Sequence, residues 1–365
     1  MIAPQTIDDL PTPAILVDEE RLERNILGMQ RACDAAGVEL RPHIKTHKLV
    51  PVAARQLAAG ARGLTCAKLG EAEAMLASGA REVFVAHSLV DPRQARRVAR
   101  LADSLDDFRV AATGAEQTLA LEKLAEKAGR KLPVMMAVDT GLGREGVRDA
   151  AGAERLASLI ARCAHLELRG FYTHEGWFYG APFSADDARL EAMLESLCAI
   201  RDTIDPGLPL WPGCSVTAHA IAARSAGRVR AVRPGAYVFG DLALSLVTGV
   251  MCPDAIALHV LATVVDKPAP GLALIDAGSK TFSSDRTPSG LFALPADGRD
   301  IAVSRVNEEH GYASGAGADA LRVGERVAFV PAHVCTVVNL ADEVMVVRRH
   351  EIAARWRVDA RGRSQ

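Results

Sequence analysis

The sequence predicts an α/β protein: a (β/α)8 TIM barrel joined to an antiparallel β domain built mainly from the C-terminal part of the chain. Two observations carry that prediction. Up to about residue 245 of 365, short apolar segments rich in β-formers alternate with alanine-rich segments whose apolar residues recur at helical spacing. Beyond that point the long helical patterns stop, and β-branched runs are separated by Pro, Gly and Asp turns. The length suits a barrel plus a smaller appendage.

The first strand expected is Thr12-Pro-Ala-Ile-Leu-Val-Asp18, followed by a first helix over Glu19–Ala36. It precedes the barrel, so it is expected to join the β domain. That domain would then be discontinuous, residues 1–19 and 246–365, around a barrel of residues 20–245. The barrel strands are read as Glu39–Lys45, Gly63–Lys68, Glu82–Ser88, Arg109–Thr113, Pro133–Thr140, Leu168–Glu175, Leu208–Ser215 and Arg230–Asp241. Helical stretches such as Leu49–Ala59, Gly70–Ala80, Ala115–Gly129 and Ala185–Asp202 fall between them. Eight such units predict a closed barrel, whereas an open doubly wound sheet would call for a Gly-rich fingerprint after the first strand, and there is none. In the β domain the expected strands are Ala257–Val265, Gly271–Asp276, Asp300–Val306, Arg326–Val330 and Glu343–Arg348.

Composition narrows the function. A hydrophobic fraction of 49%, a charged fraction of 24% and a formal charge of −2 describe a soluble globular chain with no reason to bind nucleic acid or membrane. No apolar run is long enough to span a bilayer, and Met1-Ile-Ala-Pro-Gln-Thr6 has neither a basic nor an apolar leader pattern, so no span and no signal peptide are expected. Seven unpatterned cysteines (33, 66, 163, 198, 214, 252 and 335) imply free thiols and a cytoplasmic location.

Lys45 lies in Leu40-Arg-Pro-His-Ile-Lys-Thr-His-Lys48, at the end of the first barrel strand. Taken alone it reads as a lysine snorkelling at a strand end. In a barrel, however, active-site residues gather at the C-terminal strand ends, and a lysine there is placed to hold a carbonyl cofactor through its amine. The seventh strand ends in Gly213-Cys-Ser215 and runs into a helix near Thr217, where backbone amides and a hydroxyl suit a dianion. Arg233-Pro-Gly-Ala-Tyr237 adds a tight turn at Gly235 and a phenol at Tyr237. A lysine at the first strand facing a phosphate cradle at the seventh and eighth is the arrangement that pyridoxal 5′-phosphate (PLP) requires. After the fifth strand, Asp139-Thr-Gly-Leu-Gly-Arg-Glu-Gly146 carries Arg144, which either reaches the cofactor's phenolate or substrate carboxylate or forms a surface ion pair. Tyr172 and His174, two apart on the sixth strand, share a face toward the cofactor ring.

His333-Val-Cys335 follows the strand Arg326–Val330. In extended chain its imidazole and thiolate project to one side, a pair that favours zinc and leaves positions open for water and substrate. As a bare match the pair is weak. Asn307-Glu-Glu-His310-Gly supplies a further imidazole, His310, as a second candidate catalytic residue, with carboxylates toward the same cleft, or else only a polar turn.

Together the segments TPAILVD, RPHIKTHK, ARGLTCAKLGEAE, VDTGLGREGV, RPGAYVFGD, LIDAGSKTFSSD, NEEHG and PAHVC resemble the D-threonine aldolase and D-serine dehydratase family, of alanine racemase-like fold. They run from Thr12 past Cys335. The resemblance implies a PLP barrel, a β domain made from both chain ends, and a homodimer. It places the PLP lysine on Lys45 and a divalent metal on His333 and Cys335: zinc first, manganese or magnesium as alternatives. Dehydratase members carry His-x-Cys, whereas aldolase members more often carry His-x-Asp, so Cys335 favours a dehydratase. The expected reaction is removal of the α-proton of a small D-β-hydroxy amino acid by Lys45, with the metal holding the β-hydroxyl, to give a 2-oxo acid and ammonia. Retro-aldol cleavage to glycine and an aldehyde is the alternative. A racemase would need a tyrosine base from the β domain, where Tyr312 is the only tyrosine past residue 245. A PLP carrier is usually a bare barrel. The stretch Thr173-His-Glu-Gly-Trp-Phe-Tyr179 matches neither branch closely.

Overall fold

A computed structural model describes residues 6–365. Residues 1–5, part of the expected discontinuous domain, lie outside the described residues. Strand β1 (Ala14–Asp18) leads into a helix over Glu19–Ala35, which Asp18 caps by accepting from the Arg21 amide. Eight parallel strands then form the barrel: β2 (Glu39–Leu40), β3 (Leu64–Cys66), β4 (Glu82–Ser88), β5 (Asp107–Ala112), β6 (Leu132–Val138), β7 (Leu166–Thr173), β8 (Leu210–Trp211) and β9 (Ala231–Val232). Strands β3 to β8 form one continuous parallel sheet, and β2 pairs with β9. Backbone bonds close the two seams. Arg62 N donates to Leu40 O at 2.9 Å and Thr65 N to Pro42 O at 2.9 Å on one side, and Arg230 N to Leu210 O at 3.0 Å on the other.

Strands of a barrel are covered on both faces, which explains the nearly unbroken apolar runs of β4 and β6. Phe84, Ala111, Met135, Ala137, Tyr172, Trp211 and Ala231 fill the barrel interior, with Phe84 edge-on to Tyr172 at 4.9 Å and to Trp211 at 5.7 Å. Helices Val50–Ala58, Leu69–Met75, Ala95–Ser104, Ala115–Ala128, Ala150–Arg162, Ala188–Asp202 and Ala218–Arg224 follow successive strands.

The remaining strands are β10 (Leu258–Ala269), β11 (Leu272–Ile275), β12 (Ala293–Pro295), β13 (Ala302–Val306), β14 (Gly311–Ser314), β15 (Arg326–Pro331), β16 (Glu343–Arg348) and β17 (Glu351–Arg357). Strand β1 sits within their sheet, antiparallel to β10 and parallel to β16. The N-terminal strand therefore does pair with the C-terminal β region. Strands β12, β14 and β17 have no counterpart among the expected ones; β12 and β14 are three and four residues long, too short for a period to show.

Three of the expected barrel strands end well before the sequence suggests, and four others stop one or two residues early. The first stops at Leu40, shortly before Pro42, and Lys45 lies in a 3-10 turn, Ile44–Thr46. The seventh stops at Trp211, before Pro212 and Gly213, and the eighth at Val232, before Pro234. Among the described residues, no helix is long and apolar enough to cross a membrane.

Candidate active site

A cleft of about 940 Å3 opens over the C-terminal ends of the barrel strands. Lys45, Arg144, Tyr172, Gly213, Cys214, Ser215, Gly235, His333 and Cys335 all line it. His310 and Tyr237 do not. His310 is exposed on the turn between β13 and β14, where its carbonyl accepts from the Asn307 amide at 2.8 Å. A polar turn is what this chain makes of that segment. The Tyr237 phenol points into the core and accepts from Gln56 Nε2 at 3.0 Å, because its backbone turns inward in the 3-10 segment Ala236–Val238. Tyr312 also lies away from the cleft, its hydroxyl donating to Asn307 Oδ1 at 2.7 Å.

The segment after Lys45 meets the C-terminal region at several points, among them Lys48 Nζ, which donates to Asn339 Oδ1 at 2.6 Å. Thr46, next to Lys45, has its hydroxyl 3.2 Å from Cys335 Sγ. His333 and Cys335 are not in extended chain as the spacing suggested. His333 is the N-cap of a helix over Val334–Leu340, with Cys335 in its first turn. They nonetheless line the same cleft, close enough for each to shift the titration of the other. The thiolate charge and the Asp241 carboxylate hold the His333 imidazole well above its usual range against the opposing effect of burial. Burial pushes the Cys335 thiol up, but His333, Lys45 and the Thr46 hydroxyl together bring it below its ordinary value.

Asp241 was the last residue of an expected strand and had no assigned role. It is fully buried, and its Oδ2 accepts from His333 Nδ1 at 3.0 Å and from the Val334 amide at 3.1 Å, while Oδ1 accepts from the Leu244 amide at 2.9 Å. A carboxylate on Nδ1–H fixes the tautomer and leaves Nε2 to face the cleft. Their separation of 92 residues hides the pair from any local pattern.

The expected phosphate cradle is partly taken. Glu175 Oε1 accepts from the Gly213 amide at 2.6 Å, the Cys214 amide at 3.2 Å and Thr217 Oγ1 at 2.8 Å. Burial raises the Glu175 carboxyl, and its Oε2 has no partner. Burial, followed by the nearby Glu175, pushes the Cys214 thiol up to about 12, so it packs as a neutral group. Ser215 Oγ accepts from the amides of Gly235 at 3.1 Å and Tyr237 at 3.2 Å, which places polar groups of both loops side by side. Gly235 is required there: a Cβ would lie 2.7 Å from Thr46 Oγ1 and 2.9 Å from His43 O.

Under the cleft, Tyr172 presents a buried hydroxyl with no partner among the described residues. Beside it the buried Arg233 guanidinium lies 5.1 Å from the Tyr172 ring centroid and donates to the carbonyls of Trp211 and Thr173. Arg233 opens the Arg-Pro-Gly turn, and a fully enclosed arginine could have been suspected from that apolar context. Burial, then Lys45 and Arg233, hold the His174 imidazole down at about 3, so it lines the cleft as a neutral ring. His43 is likewise held well below its usual range, by burial first and Lys45 next.

The donor sets suit two groups. His333 and Cys335 offer nitrogen and sulfur to one divalent ion, with Asp241 orienting the imidazole; among the described residues no cluster of three or more His, Cys, Asp or Glu ligands forms. Lys45, the unpartnered Tyr172 hydroxyl and the Ser215–Gly235 edge suit a phosphorylated carbonyl compound.

Residues 17–243 match the family profile of the alanine racemase N-terminal domain, and residues 257–347 match that of a serine dehydratase domain. The chain is 30% identical to a D-threonine aldolase from Arthrobacter sp, over 97% of this chain and 93% of that one. It is 34% identical to a D-threo-3-hydroxyaspartate dehydratase from Delftia sp. (strain HT23), over 90% and 92%. The fold matches the crystal structure of D-threonine aldolase from Filomicrobium marinum with a TM-score of 0.88 at 27% identity, covering 99% of this chain and 98% of the other. The shared barrel, the shared β domain and this depth of similarity make the chain a lyase of the alanine racemase-like family, in the branch of the D-threonine aldolases and D-serine dehydratases.

Proposed function

We propose that this lyase uses PLP and a divalent metal, zinc first among the candidates, to dehydrate D-β-hydroxy amino acids to a 2-oxo acid and ammonia. The observation that carries the reading is the 3.2 Å contact between Thr46 and Cys335, which sets a nitrogen–sulfur metal pair beside the Lys45 loop. When bound, PLP supplies an electron sink for charge at Cα, and the metal a Lewis acid for the β-hydroxyl. Lys45 is the base that takes the α-proton, and its neighbours His43 and His174, kept neutral by burial, leave that amine as the proton acceptor of the cleft. Asp241 keeps His333 aimed, and Thr46 steadies the Cys335 sulfur. Ser215 and Gly235 seat the phosphate, while Arg144 takes the substrate carboxylate or the phenolate. The reading includes a homodimer, to be checked by sedimentation, and a cytoplasmic location.

Purified protein incubated with D-serine or D-threonine should release pyruvate or 2-oxobutyrate with ammonia. Glycine as the only amine product would overturn dehydration and establish the second reading, aldol cleavage, which similarity to D-threonine aldolases favours. A chelator should stop turnover while the visible absorbance band of the lysine-bound cofactor stays.

A further inference from the structure

Two ordinarily cationic groups touch at the rim of the cleft without an acid between them. Lys68 Nζ, just past β3, lies 2.8 Å from His87 Nε2, near the end of β4, and His87 lines the cleft. The nearby carboxylates are engaged elsewhere. Glu71 accepts from the Ala67 and Lys68 amides and pairs with Lys48 at 3.4 Å; Glu145, which also lines the cleft and whose charge acts on His87, accepts from Ser88 Oγ at 2.9 Å through Oε2. Burial and then the Lys68 charge keep His87 below its usual range. A neutral His87 accepts from the ammonium through Nε2, which leaves Nδ1–H as a donor. An ammonium and an imidazole N–H on adjacent strand ends form a two-donor seat for one carboxylate.

The pair does not belong to the phosphate seat. In the ring of eight strands, β4 stands four places from β8, on the opposite side of the mouth from Gly213–Ser215. Arg144, which also lines the cleft without an acid partner among the described residues, is available for the α-carboxylate. That leaves Lys68 and His87 for a second anion.

Building on the lyase reading, we propose that Lys68 and His87 bind a distal carboxylate, so that the preferred substrates are D-β-hydroxy amino dicarboxylic acids rather than D-serine or D-threonine. A monocarboxylic substrate leaves the pair to water, whereas a dicarboxylate exchanges that water for charge-assisted bonds.

The test compares the holoenzyme with Lys68→Met, Lys68→Arg and His87→Gln. The first readout is kcat/KM for both diastereomers of 3-hydroxy-D-aspartate and for D-serine. The second is calorimetric binding of D-aspartate and D-alanine, which lack the leaving hydroxyl. In the native enzyme the dicarboxylate should lead by at least about tenfold in each comparison. Both ratios should collapse by at least about tenfold in Lys68→Met, fall less in His87→Gln, and be largely restored in Lys68→Arg. A native preference for D-serine overturns the proposal alone. So does an equal loss with both substrate classes, or a loss of cofactor retention without a change of ratio. Absence of turnover with either class overturns the lyase reading with it. Should Lys68→Met fail to fold, the native ratios and His87→Gln still decide.

Discussion

A second concavity, of about 850 Å3, lies at the N-terminal end of the barrel strands, nearly as large as the 940 Å3 cleft at the C-terminal end. Both are lined by charged groups, but the charges are handled in opposite ways. At the N-terminal end every strand that starts with an acid meets an arginine. Arg41 reaches Glu39 at 2.9 Å and Glu82 at 2.7 Å, Arg62 reaches Glu82 at 2.6 Å, Arg230 reaches Glu39 at 2.6 Å, and Arg109 reaches Asp107 at 2.7 Å. The guanidinium groups of Arg41, at 4.3 Å, and Arg109, at 4.6 Å, both lie over the Trp211 ring. The charges of this end pair with one another, although the Trp211 indole N–H has no partner among the described residues, and the lattice reads as a stabilising floor. Around the cleft, among the described residues, Lys68 and Arg144 lack acids, the Tyr172 hydroxyl lacks any partner, and one helix start carries a thiol and an imidazole beside the Lys45 loop. Cations left without an acid can be met by what the protein binds, so unpaired charge, not volume, separates the cleft from the floor.

Four outcomes would sharpen or break that comparison. The largest effect belongs to Lys45→Ala. The visible absorbance band should vanish and turnover should drop by more than about 1000-fold, since base and attachment point go together, while thermal unfolding shifts little. An unchanged spectrum would remove Lys45 from the chemistry. The floor should show the reverse signature. Arg41→Leu leaves Glu39 and Glu82 short of a buried partner, costing about 3 kcal/mol of stability in a urea titration with kcat/KM near native. Loss of activity at full stability would mean that the floor binds something after all.

Asp241→Asn keeps the shape but weakens the hold on the His333 tautomer, and metal affinity should fall about 10- to 100-fold in a competition titration with a chromophoric chelator. Affinity equal to native would mean that the imidazole needs no orienting carboxylate. The last outcome is in pH. His47 and His174 are each held near 3 by burial, against about 6.5 in the unfolded chain, so the unfolded chain binds more protons between those values. Their contribution is complete above pH 6.5 and is lost as pH falls toward 3, at up to about 1.4 kcal/mol per unit for each group. No histidine lines the floor. Urea midpoints should therefore fall from pH 6.5 to 5, with hydrogen exchange rising first around the cleft; a flat or rising midpoint contradicts the assignment.

Element identity was legible in the sequence because barrel strands and their helices differ locally. Glu82–Ser88 and Glu343–Arg348 match the expected bounds, and Ala115–Ala128 is one residue short of its expected end. Proline and glycine mark what period alone missed: Pro42, Pro212 and Pro234 each follow an early strand end, and the loops there carry Lys45, Ser215 and Gly235 into the cleft. The errors fell on side-chain direction. Tyr237 and His310 sit in the right segments, but one turns into the core and the other into solvent.

Residue types and their order along the chain determined the barrel, the β region and the choice of a lysine with a His-x-Cys pair, because periodicity, propensity and donor chemistry are local properties. The tertiary structure alone decided that Thr46 reaches Cys335, that Asp241 aims His333, that Glu175 takes two amides expected for phosphate, and that Lys68 is left with His87 and no acid. Each of these is a contact across tens to hundreds of residues, set by the closing of the barrel and the docking of the β strands over it, and no local pattern encodes which polar group ends without a partner.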